Sequence, residues 1–168
     1  MTARPITATF PIERLILAPD DPDQAIGPLE LVSRMAGSMS LSGHIANWPA
    51  AKAALVKRYL DGYRSFRHLL MQDFHALTPY PTTDGDWDVV QFVDPQSGEA
   101  VVLAYRYRGQ VGEQVIPVGH LLSEGRYQVL DPFHNRPPEV VSAAVLRSRG
   151  LSIVLGPDSA AVYHLAPC

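Results

Sequence analysis

Apolar residues in the first half of the chain recur at helical spacing. Ala51, Leu55, Tyr59, Tyr63, Phe66 and Leu70 follow at steps of four, four, four, three and four, which puts them on one face of an α-helix. Lys52, Lys57, Arg58, Asp61, Arg64 and Arg67 occupy the opposite face. Pro49 suits a first turn, where a missing N–H costs nothing, and Asn47 is placed to cap it. The pattern predicts a helix of about twenty residues lying on a core with a solvated basic back. Upstream, the apolar run 12–18, closed by Pro19-Asp-Asp-Pro-Asp23, reads as a buried strand. Gly27-Pro28 opens a two-turn helix over 29–36, with Leu29, Val32 and either Met35 or Ala36 inward, and Gly37 stops it before a second strand at 38–42. Strand, helix, strand, helix is the order of parallel α/β structure. Parallel sheets are buried on both faces, so two such strands are incomplete by themselves.

From Gln72 onward the period changes to that of strands. Residues 73–77, 87–94, 99–108, 115–122, 126–130, 139–142, 151–155 and 160–165 read as short β-runs, with a turn or short helix over 143–149. Pro95-Gln-Ser-Gly98 joins one pair as a hairpin, and Ser123-Glu-Gly125 joins 115–122 to 126–130. Leu151, Ile153 and Leu155 alternate with Ser152 and Val154, and Tyr127 shares a face with Val129. The expected fold class is α+β, a short α/β segment over residues 1–72 followed by an antiparallel β-sandwich or open barrel over 73–168.

Composition narrows the partners more than the fold. Nearly half of the 168 residues are apolar and 18% are charged, which suits a globular protein with a substantial core. The net charge of −3 gives no reason to expect nucleic acid, and no run of apolar residues has membrane-spanning length. The single cysteine, Cys168, rules out an internal disulfide framework and a cysteine-based zinc site. No basic segment leads into an apolar run at the N-terminus, so the expected compartment is the cytoplasm. No cofactor motif is present. Gly37-Ser-Met-Ser-Leu-Ser-Gly43 lacks the lysine of a phosphate loop and the spacing of a nucleophile elbow. Asp84, Asp86 and Asp88 around Gly85 do not fit the glycine and glutamate positions of an EF-hand and read as a polar turn. The six histidines have no His-x-x-x-His pair, so the sequence shows no zinc-site spacing. Trp87, Tyr105, Tyr107 and Tyr127 have rings that can stack on sugars, with core filling as the stronger default.

The run Met35-Ala-Gly-Ser-Met-Ser-Leu-Ser-Gly-His44 resembles the last barrel strand of α-galactosidase (melibiase)-type glycoside hydrolases. Trp48 with its helix, and Tyr63-Arg-Ser-Phe-Arg-His-Leu-Leu-Met-Gln-Asp-Phe74, resemble that family's final barrel helix and its exit into a tail domain. The stretch from Trp87 to Arg106 is similar to its first tail-domain hairpin, and Phe10-Pro-Ile-Glu-Arg-Leu15 is more loosely related to a segment following the acid/base strand. Together the resemblance covers about residues 35–165 and rests on structural motifs. It implies the end of a (β/α)8 barrel plus a C-terminal antiparallel β domain. It also implies retaining hydrolysis by two aspartates on earlier strands, which need to stand about 5 Å apart. Neither aspartate's motif is in this chain, so no catalytic residue is assigned and the chain alone is expected to be inactive.

Barrel geometry gathers active-site groups at the C-terminal ends of the strands. Asp20 and Asp21, with Asp23, follow the first strand there, with turn residues around Pro19 and Pro22 as the stronger default. Ser42 and His44 leave the second strand at the same face. Asp20, Asp21, Ser42 and His44 are therefore the candidate substrate-lining residues, and no metal ligand is among them. The expected partners are an α-galactoside-type sugar once the rest of a barrel completes the site, and that barrel portion or a second copy of the chain. A non-catalytic β module binding carbohydrate or protein is the alternative.

Overall fold

The computed structural model describes residues 25–41, 44–122, 124–134 and 137–168, together with the backbone of 14–17. In chain order the elements are β1 (Arg14–Leu17), α1 (Pro28–Ser33), β2 (Ser38–Leu41), a 3-10 turn (Ile45–Asn47), α2 (Ala50–Phe66), a second 3-10 turn (Arg67–Met71), β3 (Asp73–Ala76), β4 (Trp87–Val93) and β5 (Ala100–Arg106). There follow β6 (Gly112–Ile116), β7 (Arg126–Leu130), β8 (Glu139–Ser142), α3 (Ala143–Ser148), β9 (Leu151–Leu155) and β10 (Ser159–Pro167). The fold is α+β, dominated by antiparallel sheet.

A six-stranded sheet in the order β3-β4-β5-β10-β7-β8 is the centre of the molecule, with every neighbouring pair antiparallel. Its interior strands β4 and β5 are buried along nearly their whole length. Their near-continuous Val, Phe, Leu and Ala content matches a sheet covered on both faces rather than one. Val90 and Phe92 of β4, Val101, Leu103 and Tyr105 of β5 and Val162 of β10 face a core shared with the helices. Val89 and Val93, Ala100, Val102 and Ala104, and Leu165 face the other way, into a second core with the two-stranded sheet β6-β9 and with Leu146 of α3. Side chains alternating across the pleat thus feed two cores from one sheet.

The β4–β5 hairpin is closed by its own turn chemistry. Asp94 Oδ1 accepts from the Gln96 N–H at 2.9 Å and Oδ2 from the Ser97 hydroxyl at 2.7 Å, while the Asp94 N–H donates to the Glu99 carbonyl. These bonds hold the Asp94 carboxyl below its usual range, the Ser97 hydroxyl contributing most.

Helix α2 lies on the first core through Val56, Tyr59, Tyr63 and Phe66, with Leu55 partly buried. Ala51, expected on the inward face, is exposed, and Val56 is inward instead. In the first turn it is Lys52, expected on the outer face, that lies over a core residue, its ammonium 5.3 Å from the centre of the Trp48 ring. Asn47 does not cap it. It belongs to the preceding 3-10 turn, and Pro49 stands at the cap with its carbonyl accepting from the Ala53 N–H at 3.0 Å. At Gly62 the helix comes close to the 130–134 loop, where an added Cβ would lie 2.5 Å from the Phe133 ring and 2.6 Å from the Pro132 carbonyl oxygen. The absence of a side chain lets Phe133 stack on Tyr59 at 4.2 Å between centroids.

Leu31, Val32 and Met35 of the α1 region share this core with β4 and β5, so side chains on either side of residue 72 pack into one another. The Tyr105 hydroxyl donates to the Val32 carbonyl at 3.4 Å and the Tyr63 hydroxyl to the Gly37 carbonyl at 2.7 Å. Residues 115–122 do not form one strand. β6 ends at Ile116, because Pro117 has no N–H to offer a ladder, and β6 pairs with β9 rather than with β7. Val118 and Leu121 are still buried, as loop residues.

Candidate functional site

Three places bring polar or aromatic side chains together. The first is the end of the parallel pair. β1 and β2 run parallel in register from Arg14↔Ser38 to Leu17↔Leu41, so the two strands finish side by side. Asp20, Asp21 and Ser42 lie outside the described residues. His44 is exposed, and its carbonyl accepts from the Asn47 N–H of the 3-10 turn. Beside it, Leu41, Ile45, Trp48, Val56 and Leu60 line a mostly apolar hollow of about 280 Å³.

The second place is the junction between the 67–71 turn and the sheet. Glu99 stands between two histidines, its Oε1 2.6 Å from His164 Nε2 and its Oε2 3.1 Å from His68 Nε2. His164 is buried on β10, opposite Val101, while His68 is largely exposed. Burial raises the Glu99 pKa, but the hydrogen bonds and charges of the two histidines outweigh it, and the net displacement is below the ordinary 4.5. A carboxyl with a lowered folded pKa adds stability that is complete above its unfolded value and is lost as pH falls through the folded one. Wild-type protein is therefore expected to be more heat-stable than Glu99→Gln at about pH 6, with the difference shrinking as the pH falls below the ordinary 4.5. Melting temperatures of the two proteins over an acid series check this, and a difference that grows on acidification would contradict it.

A pair of stacked imidazoles lies nearby in sequence. His75 of β3 and His120 have ring centroids 3.6 Å apart, nearly parallel, with His120 held at φ +57. Burial, and then the neighbouring His120, push the His75 pKa down. Among the described residues no group of three His, Cys, Asp or Glu side chains converges on a metal-sized site.

The third place is the end of the sheet where the 78–86 loop meets β5. Tyr80, Thr82, Asp84, Asp86 and Tyr107 surround a cavity of about 210 Å³, with buried Asp88 and Tyr105 also lining it. Burial and the Asp88 carboxylate push the Tyr105 hydroxyl pKa up. Asp86 Oδ2 accepts from the backbone N–H groups of Thr82 and Thr83 at 2.9 and 2.8 Å, and those bonds lower its pKa. The polar turn expected here is thus an aspartate-capped loop. Across Tyr107 lies a second cavity of about 400 Å³, lined by Gly27, Leu29, Glu30, Ser33, Arg34 and Asp158.

Of the aromatics singled out in the sequence, Trp87, Tyr105 and Tyr127 are core residues and Tyr107 is exposed. Tyr80 escaped notice, although its position between Pro79 and Pro81 was a visible sign of a stiffly presented ring. The Glu99 junction was missed too, since its partners lie 31 and 65 residues away.

No family model matches the chain, and no curated protein matches it by sequence. Solved structures do. The galactosidase domain of the α-galactosidase–sucrose kinase AgaSK superposes with a TM-score of 0.71 at 14% identity, over 92% of this chain and 21% of that one. The α-galactosidase from Lactobacillus brevis gives 0.70 at 16% identity, over 92% and 22%. GH36 α-galactosidase AgaB from Geobacillus stearothermophilus gives 0.69 at 15%, over 91% and 21%. In fold, the chain is similar to the C-terminal portion of the GH36 α-galactosidases. It spans about a fifth of the length of these structures.

Proposed function

We propose that the chain serves as the C-terminal portion of an α-galactosidase-like glycoside hydrolase, with β1-α1-β2-α2 completing a (β/α)8 barrel and the antiparallel sheet forming its tail domain. The observation that carries this reading is the superposition on α-galactosidases over more than nine-tenths of the chain. The parallel β1–β2 pair supports it, because neighbouring parallel strands that are each followed by a helix are the repeat of such a barrel. So does the apolar hollow beside Ile45, which is 44% exposed and suits a neighbouring element of the same barrel. Fold alone does not set chemistry, and the hydrolytic aspartates in this reading come from barrel strands other than β1 and β2.

The purified chain is accordingly expected to hydrolyse an aryl α-galactoside no faster than buffer does. The DNA upstream of Met1 is expected to code, in frame or in an adjacent gene, for earlier barrel units bearing the two aspartates. Co-expression of those units with this chain is expected to give a complex that hydrolyses the same substrate. Unrelated upstream coding sequence, or turnover by the chain alone that is lost on replacing Asp20 or Asp21, would overturn the reading.

A further inference from the structure

Tyr80 and Tyr107 are the two exposed aromatic side chains among the described residues, at 55% and 42%, and both line the 210 Å³ cavity. Core packing does not explain them, yet the fold holds both in place. Pro81 confines the backbone of Tyr80 to extended conformations, and Pro79 before it has a fixed φ. The Gly85 N–H donates to the Tyr107 carbonyl at 2.8 Å, tying the Tyr80 loop to the end of β5. The Arg108 guanidinium lies 4.9 Å from the centre of the Tyr107 ring and is held there by Asp84 at 2.7 Å. A surface so fixed loses little further freedom when it binds a ligand.

The polar groups around these rings identify the ligand class. Asp86 Oδ2 accepts from the Thr82 and Thr83 N–H groups and Asp158 Oδ1 from the Arg108 N–H, and a carboxylate with its four lone-pair sites keeps acceptor capacity beyond such bonds. On the first cavity the Thr82 hydroxyl donates to Asp86, and on the second the Ser33 hydroxyl donates to the Glu30 carbonyl, so both meet a ligand as acceptors beside the Glu30 carboxylate. Acceptors therefore stand beside flat apolar faces, across two adjoining cavities that share Tyr107. A cationic ligand would meet Arg34 on the second cavity, and Arg108 already occupies the cation position over Tyr107. Sugar hydroxyls both donate and accept, and the C–H faces of pyranose rings pack on aromatics.

We propose that Tyr80 and Tyr107 frame a carbohydrate-binding cleft in which a neutral oligosaccharide of two or more rings stacks on the two tyrosines and donates hydroxyl hydrogen bonds to the carboxylates of Asp86 and Asp158. The choice of α-galactosides among the probes rests on the function proposed above, whereas the cleft itself does not.

The test is amide NMR titration of the purified chain with raffinose, stachyose, maltotriose, cellotriose and tetramethylammonium chloride. At least one oligosaccharide is expected to shift the amides of 82–88 and 106–109. Tyr80→Ala and Tyr107→Ala should each weaken that binding about tenfold or more, while Tyr80→Phe, which keeps the ring face, stays within about twofold. Both tyrosines are exposed, so unchanged melting temperatures will verify that the alanine variants fold. Binding by raffinose or stachyose supports the cleft and the galactoside reading together. Binding by maltotriose or cellotriose alone supports the cleft and speaks against that reading. The cleft is overturned if no oligosaccharide shifts these amides, if binding survives both alanine substitutions, or if only tetramethylammonium perturbs them.

Discussion

Phe66→Ala is expected to lower the stability of the whole chain by about 3–5 kcal/mol, the usual range for deleting a buried phenylalanine. Phe66 is fully buried at the end of α2, edge-on to Tyr63 at 5.8 Å and to Phe133 at 6.3 Å. Its core also contains Phe92 and Leu103 from the central sheet, so a cavity there loosens the helix and the sheet at once. The two tryptophans can report on this separately. Trp48 belongs to the helix-side core and Trp87 to the core on the opposite face of the sheet. In urea unfolding of Trp48→Phe and Trp87→Phe backgrounds, both signals are expected to move to lower midpoint together, with the slope unchanged. If the Trp48 signal is lost early while the Trp87 transition stays put, the helical segment is a separately melting layer on a self-sufficient sheet.

That alternative follows from the sequence, which divides at residue 72 into a strand–helix half and a β-rich half. The division is a true change of local pattern. What the pattern omits is the destination of the apolar stripe on α2. Tyr59, Tyr63 and Phe66 had three ways to escape water, against the β half, against a second copy or against an additional segment. The structure takes the first, at least for these three side chains. Ile45 and Leu60 at the other end of the same surface are less well covered, and they line the hollow that the barrel reading fills.

Local chemistry made much of the β half legible. The Leu151, Ile153, Leu155 alternation is that of β9, whose exposed positions are Ser152 and Val154. The 95–98 turn predicted the β4–β5 hairpin because Asp, Ser and Gly close such turns within four residues. Pairing between distant strands was not legible in the same way. β6 bonds to β9 and β10 inserts between β5 and β7, choices made by the sum of both cores and not by any one segment. The same holds for sites. The aspartate-capped loop around Asp86 is local and was readable as a turn, whereas Glu99 meets His68 and His164 only after the sheet has formed. Of the four residues placed at the strand ends from barrel geometry, only His44 is among the described residues.

Gly150→Ala is expected to cost about 2–5 kcal/mol, from two penalties that fall on the same residue. The glycine follows α3 with φ at +83, a left-handed conformation that costs an ordinary L-residue roughly 1–2 kcal/mol. An added Cβ would also lie 2.7 Å from the Ile116 carbonyl carbon, 2.8 Å from its oxygen and 2.9 Å from the Pro117 nitrogen. All three are backbone atoms, so no side chain can swing aside, and overpacking of this kind adds about 1–3 kcal/mol. The contact lies beside the Ile116↔Leu151 pair that ends the β6–β9 ladder. Relief by moving β6 away would therefore open the second core at Ile116 and Leu151. Gly119→Ala is the matched control, since a Cβ there meets nothing within 4 Å and its φ is unremarkable; it should stay within about 0.5 kcal/mol of wild type. Urea midpoints of the two variants decide the matter. Equal midpoints would show that β6 approaches Gly150 less closely than the packing of the second core requires.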